Sequence, residues 1–198
     1  YDVVRLSERV VQVAWRKGSV EVNSSSGSVV GVRAFRGGGW GIASVQGEEA
    51  DVNELLRKAL RAAKVGDRSL SEARLWNGEV KLGEPPEDEE AFLRDKAEEL
   101  ASMGCTESIL TIYETEREIE HPDTGERAVE RKVVYELLVS AESEGGVGTD
   151  SMAITGSPGD VSERALRAMC ERAKVRASAL SSGRPLNPLY RGKWTVIL

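Results

Sequence analysis

The sequence predicts an α+β fold of mainly antiparallel sheets with about three helices packed on them. Three observations point there. Strand-like alternation comes in runs, helical patterns come singly between those runs, and one pair of long alternating segments flanks a Pro-Asp-Gly turn. From Asp2 to Val45 the pattern is mostly period two, a meander of three to five strands. "VVQVAWR" puts Val11, Val13 and Trp15 on one face, and a turn at Lys17 and Gly18 leads into "GSVEVNS". The alternation breaks across Ser7 to Arg9, which predicts a bulge or a turn.

"SVVGVRAF" then pairs with "WGIASV" through a glycine-rich stretch, Gly37, Gly38, Gly39 and Gly41 around Trp40. A phosphate loop needs a helix N-terminus behind it, and here another strand follows. Neither Gly-Lys-Ser/Thr nor a full G-x-G-x-x-G is present, so the stretch reads as a hairpin turn, with Gly41 leaving room for the indole. The next segment, "EADVNELLRKALRAAKVG", is a helix with both ends marked. Asp51 and Glu54 have capping-box spacing, Gly66 suits a left-handed C-terminal position, and Val52, Leu55, Leu56, Ala59, Leu60 and Ala63 make the apolar stripe.

Residues 67–86 read as a connector between layers. The acidic run Glu87 to Glu90 then favours the positive end of a second helix, whose inner side is Leu93, Ala97, Leu100 and Ala101 and which stops at Gly104. "ESILTIYETEREIE" and "AVERKVVYELLVSAE", separated by "HPDTGER", form a long hairpin. "SEGGVGTDSMAITGSPG" reads as a flexible glycine-rich passage. Asp160 and Glu163 open the last helix, with Ala165, Met169, Ala173 and Leu180 inward, and "SSGRPLNP" closes it.

Composition excludes several function classes. The formal charge of −6, from 27 basic and 33 acidic residues, disfavours nucleic acid as the main partner, which requires clustered excess cations. No apolar run approaches the ~20 residues that span a bilayer, and no signal peptide is visible; a cytoplasmic location is the expectation. Cys105 and Cys170 lack C-x-x-C spacing and read as reduced, buried hydrophobes. His121 is the sole histidine, so no two-histidine zinc site forms within the chain. The triplet Asp123 to Gly125 matches the core of aspartic-protease sites, but at a hairpin tip it reads as a turn. The hydroxyl cluster Asn23 to Ser28 reads as a polar turn. Arg164, Arg167, Arg172, Lys174 and Arg176 read as a solvated helix face that an acidic partner would also fit. No catalytic and no metal-ligating residue is assigned, and the substrate-binding residues are left unassigned.

The order of segments carries a resemblance. "VEVNSSSGSVVGVRAFRGGGWGIAS" followed by a capped helix is similar to the N-terminal domain of the TldD/PmbA family, also called modulators of DNA gyrase. The ending "ALSSGRPLNPLYRGKWTVIL" resembles that family's passage into a second domain. The resemblance implies a TldD/PmbA-type N-terminal domain over residues 1–190 and, over 191–198, the start of a C-terminal metallopeptidase-type domain beyond this chain. It implies that zinc and an H-E-x-x-x-H helix belong to that second domain. The substrate would be unfolded peptide, and the assembly a homo- or heterodimer with a TldD/PmbA-type subunit. "GGGWGIAS" sits nearer the TldD side. The alternatives are a non-catalytic PmbA/TldE-like partner subunit, or a module that touches gyrase or DNA. This chain alone carries no catalytic motif.

Overall fold

A computed structural model describes residues 1–66 and 77–182. Among these residues seven strands form one sheet: β1 (Asp2–Arg16), β2 (Ser19–Arg36), β3 (Gly39–Gln46), β4 (Gly78–Leu82), β5 (Glu107–His121), β6 (Glu126–Ser143) and β7 (Gly146–Thr155). Their order is β3-β2-β1-β5-β6-β4, and β7 pairs with β6 beyond the end of β4. Every pairing is antiparallel except β4 with β6. The helices α1 (Val52–Ala62), α2 (Glu89–Ser102) and α3 (Glu163–Ser181), three among the described residues, make the architecture α+β.

The register is unbroken along the long strands, so the face of every side chain follows from parity. Odd residues of β1 share a face with even residues of β2 and β5 and odd residues of β6. Both apolar clusters lie on that inner face. Val3, Val30, Val32 and Ala34 pack beneath Leu55 and Ala59 of α1. Val11, Val13, Leu110, Ile112, Tyr135, Leu137 and Val139 pack beneath α2 and α3. All three helices therefore cover the same side, at opposite ends of strands about 50 Å long at ~3.4 Å per residue.

Several expectations need correction. No bulge interrupts Ser7 to Arg9: β1 runs straight through, paired residue for residue with β2 and β5. The alternation breaks there because the inner face itself turns polar, at Arg5, Ser7 and Arg9. Asn23 to Ser28 is not a turn but the middle of β2, where hydroxyl side chains occupy both faces. Within residues 67–86 the short parallel strand β4 appears; residues 67–76 lie outside the described part.

The glycine-rich passage after residue 143 is strand β7, reached through a tight turn at Glu144 and Gly145. Its alternation was hidden because the inward positions Gly146 and Gly148 carry no side chain. A Cβ on Gly148 would stand 2.0 Å from the carbonyl oxygen of Ala173, and one on Gly146 would stand 2.2 Å from that of Ala177. The backbone of α3 fills that space. Gly41 plays the same part under α1, where a Cβ would come within 1.9 Å of the Ala59 oxygen. Gly41 thus makes room for a helix and not for the Trp40 indole, which points to the outer face against Phe35 and Arg33. Gly37 and Gly38 do form the expected turn, both at positive φ.

The helix ends differ from expectation in detail. Asp51 caps α1 by accepting the N–H groups of Asn53 and Glu54 at 2.9 and 3.1 Å. Gly66 does not take a left-handed cap: the helix ends at Ala63 in an extended conformation, and Gly66 donates its N–H to the Gly37 carbonyl. Asp88 caps α2, and Gly104, at φ +91°, ends it as expected. Ser162 caps α3, whereas Asp160 closes a 3-10 turn by accepting the Ser157 N–H. The buried side of α3 is Leu166, Met169, Cys170, Ala173 and Ala177; Ala165 is half-buried and Leu180 is exposed. The closing segment from residue 183, including 191–198, lies outside the described residues. Among the described residues no helix is long and apolar enough to cross a membrane.

Candidate functional site: the polar gap between the helices

Between the α1 layer and the α2–α3 layer, three rows of the inner face turn polar on β1 and β5, while Val30 and Val133 at their margins belong to the flanking apolar clusters. Pairing across the strands places Ser28, Ser7, Glu116, Arg131 and Lys81 in one row, from β2 through β1, β5 and β6 to β4. A second row holds Ser26, Arg9, Glu114 and Val133, and a third holds Val30, Arg5, Glu118 and Val129. The rows run perpendicular to the strands, so the gap is a trough across the sheet. A cavity of ≈ 580 Å³ opens there, within the size range of ligand-binding clefts. Its β2 end is lined by the hydroxyls of Ser7, Ser26 and Ser28, and its β4 end by Lys81 and Arg131.

Ion pairs stiffen the floor. Arg131 bridges Glu116, at 2.7 Å, and Glu79 of β4. Arg5 reaches Glu118 at 3.0 Å and Glu120 at 3.1 Å. Arg127 meets Glu118 from the other side at 2.8 Å. The partner hydrogen bond from Arg127 holds the Glu118 carboxyl below its usual range, against the opposing effect of burial.

One wall is chemically distinct. Glu89, the first residue of α2, is 7 % exposed and takes both terminal nitrogens of Arg9, at 2.9 and 3.0 Å. The same guanidinium reaches Glu114 at 3.1 Å. Burial, then a hydrogen bond and charge repulsion from Glu114, push the Glu89 carboxyl up to about 7, while Arg9 pulls it down. Glu89 therefore holds its proton well above the usual carboxylate range, beside the acceptor oxygens of Glu114.

A carboxyl that binds its proton more tightly when folded favours the folded state at low pH. That advantage is complete below the ordinary value of ~4.3 and is lost as pH rises through about 7, at a cost of roughly 3 kcal/mol. Glu89→Gln keeps the neutral form at every pH. Urea denaturation of both proteins at pH 5 and pH 8.5 is expected to show the variant gaining on the wild type by about that amount at the higher pH.

The residues singled out in the sequence fall elsewhere. Asp123 lies at the tip of the β5–β6 turn with its side chain 70 % exposed. His121 is on the outer face, its Nε2 2.9 Å from Asp2 Oδ1 and its Nδ1 3.6 Å from Glu126 Oε2. Cys105 and Cys170 are free and buried together, and burial followed by the Cys170 hydrogen bond pushes the Cys105 thiol up to about 12. Among the described residues no three His, Cys, Asp or Glu side chains converge in a metal-binding arrangement.

The basic face of α3 is largely paired within the domain. Arg167 bonds Glu163, Lys174 bonds Glu171, and Arg172 and Arg176 both clamp Asp150 of β7. Burial opposes ionisation of Asp150, but the hydrogen bonds and charges of Arg172 and Arg176 outweigh it and hold the carboxyl below its usual range.

Arg5, Ser7, Arg9, Glu89 and Glu114 were not foreseen as a site. The available signal was parity: Val3, Arg5, Ser7, Arg9, Val11 and Val13 keep one face while its chemistry changes.

Comparison with known proteins gives this arrangement a setting. Residues 1–64 match the family described as PmbA/TldA metallopeptidase domain 1. A gyrase-modulator-type protein from Thermotoga maritima matches in structure at TM-score 0.62 and 12 % identity, over 94 % of this chain and 45 % of its own. TldE from Thermococcus kodakarensis matches at TM-score 0.54 and 14 % identity, over 89 % and 43 %. A second gyrase-modulator-type protein, from Bacteroides thetaiotaomicron, matches at TM-score 0.55 and 13 % identity, over 89 % and 45 %. The chain spans less than half the length of these solved structures, with which it shares the fold. No curated protein matches it.

Proposed function

Residues 1–64 of this chain belong to the PmbA/TldD family as its first domain, and from that premise we propose that the chain is the N-terminal, substrate-gating and dimerising part of a TldD-like zinc metallopeptidase acting on unfolded peptides. The observation that carries the reading is the trough: a polar, rigid floor, open between two helix layers, beside long strands. Such a surface holds an extended chain by backbone and side-chain hydrogen bonds without demanding one sequence.

The division of labour follows from the residues present. Arg5, Arg9 and Arg131 fix the floor carboxylates, Ser7, Ser26 and Ser28 offer hydroxyls that donate or accept, and burial beside Glu114 raises the Glu89 carboxyl to about 7. None of these constitutes a nucleophile with its base and an oxyanion site, so this part binds and orients. Bond cleavage is assigned to zinc held in a domain beyond residue 198, as a Lewis acid and a source of activated water. The test is the full-length natural gene product, assayed for zinc content and for cleavage of an unfolded polypeptide. Bound zinc with cleavage supports the reading. A full-length sequence without H-E-x-x-x-H, and no cleavage, replaces it with the non-catalytic PmbA-like partner. The gyrase- or DNA-binding alternative rests on the family's name and on the basic face of α3, where Arg167, Arg172, Lys174 and Arg176 are ion-paired within the domain.

A further inference from the structure

Strand β2 is longer than its second neighbour. On one side β1 pairs with all of Ser19–Arg33, but on the other β3 covers only Val29–Arg36. Where β3 ends, the Gly47 N–H donates to the Ser28 carbonyl at 2.9 Å. The backbone polar groups of Ser28 thus face the β3 side. Period two turns those of Ser26, Ser24, Val22 and Val20 the same way. Among the described residues no strand pairs with them there. Four N–H and four C=O groups line an open edge.

Natural sheets guard such edges with Lys, Pro, a bulge or a covering element. From Ser19 to Ser28 there is no Lys, Arg or Pro, and the register has no bulge. Ser24, Ser25, Ser26, Gly27 and Ser28 present only small side chains, so neither charge nor bulk keeps a strand away. The unpaired charge around the edge is acidic, because Arg9 opposite Ser26, Arg16 opposite Ser19 and Lys17 in the adjoining turn are each ion-paired. Glu21 on the edge, Glu8 beside Gly27, and Glu48 just past β3 are exposed, and none is ion-paired to a described residue. The edge also leads into the trough, since Ser26, Gly27, Ser28 and Glu48 line its cavity.

We propose that the Val20–Ser26 edge of β2 is the docking site for an extended polypeptide segment bearing lysine or arginine, which adds as a strand in line with β3 and runs on into the trough. This names the place and the charge preference of the peptide handling proposed above, and rests on that reading. A second copy of the chain fits worse, because edge-to-edge pairing would bring Glu8, Glu21 and Glu48 of both copies together on chains of net charge −6.

The test uses the 198-residue chain and two labelled, unstructured decapeptides, one with three lysines and one with three glutamates. Binding is read by fluorescence anisotropy at low salt, and the contact by amide hydrogen exchange. The lysine peptide is expected to bind and to slow exchange at Val20, Val22, Ser24 and Ser26. Ser24→Pro removes a donor that faces away from β1, so it should lower affinity at least tenfold with an unchanged melting temperature. Glu21→Lys combined with Glu48→Lys, which leaves the backbone intact, should reverse the preference between the two peptides. Unchanged affinity in both variants, or protection on the free edge of β3, β4 or β7 instead, overturns the assignment while peptide handling stands. Protection of the same amides by self-association without peptide also overturns it. No binding of either peptide anywhere removes the peptide-handling reading as well.

Discussion

Gly148→Ala is expected to destabilise the domain by roughly 3 kcal/mol or more, measured as the loss of unfolding free energy in urea. The added Cβ would stand 2.0 Å from the Ala173 oxygen and 2.3 Å from the Ala177 nitrogen. Both are helix backbone atoms, which cannot rotate aside as a flexible side chain would. Ala173 and Ala177 are fully buried, and with Leu166, Met169 and Cys170 they form the side of α3 that closes the larger core. Relief requires α3 to lift from β7, which opens that core and pulls Arg172 and Arg176 from Asp150. Gly27→Ala is the control. Its Cβ meets nothing within 4 Å, so a change within about 0.5 kcal/mol is expected.

Gly41→Ala should act by the same physics at the other end of the sheet. Its Cβ would meet the Ala59 oxygen at 1.9 Å and the Ala63 nitrogen at 2.6 Å, so the last turn of α1 must move. The expected loss is about 2–3 kcal/mol, smaller than at Gly148 because the cluster under α1 is smaller. Hydrogen exchange separates the two variants. Gly41→Ala should speed exchange in α1 and β3 while α2 and α3 stay protected, since the trough divides the cores. Equal loosening of both cores would mean that the two helix layers act as one cooperative unit.

The two glycine substitutions also mark where sequence reading succeeded and where it stopped. The capped helix at Asp51, the helix after Asp88 and the long hairpin around residues 121–126 were legible, because each has a period and a terminator in the chain itself. Strand β7 was not, since Gly146 and Gly148 remove the apolar half of its alternation so that a helix backbone can lie against it. The short β4 was missed because its five residues are mostly exposed and carry no alternation of burial. Asp160 was read as a helix cap at the right spacing one turn too early, where it in fact closes the 3-10 turn.

The trough stood in plain view as an irregularity. Ser7 to Arg9 read as a break in the strand, whereas Ser7 and Arg9, with Arg5, mark a change in what the strand faces. A period-two pattern records which residues share a face, not whether a helix covers it. The pairing of Glu89 with Glu114 across 25 residues, and the open edge of β2, depend on strand order, which no local pattern encodes.

The central claim is that these residues grip a polypeptide and leave its cleavage to another domain. The most direct measurement is to strip the 198-residue chain of metal, incubate it with an unfolded polypeptide, and follow binding and mass together. Saturable binding with every substrate molecule intact is the expected result. Shortened products formed by the metal-free chain alone would contradict it.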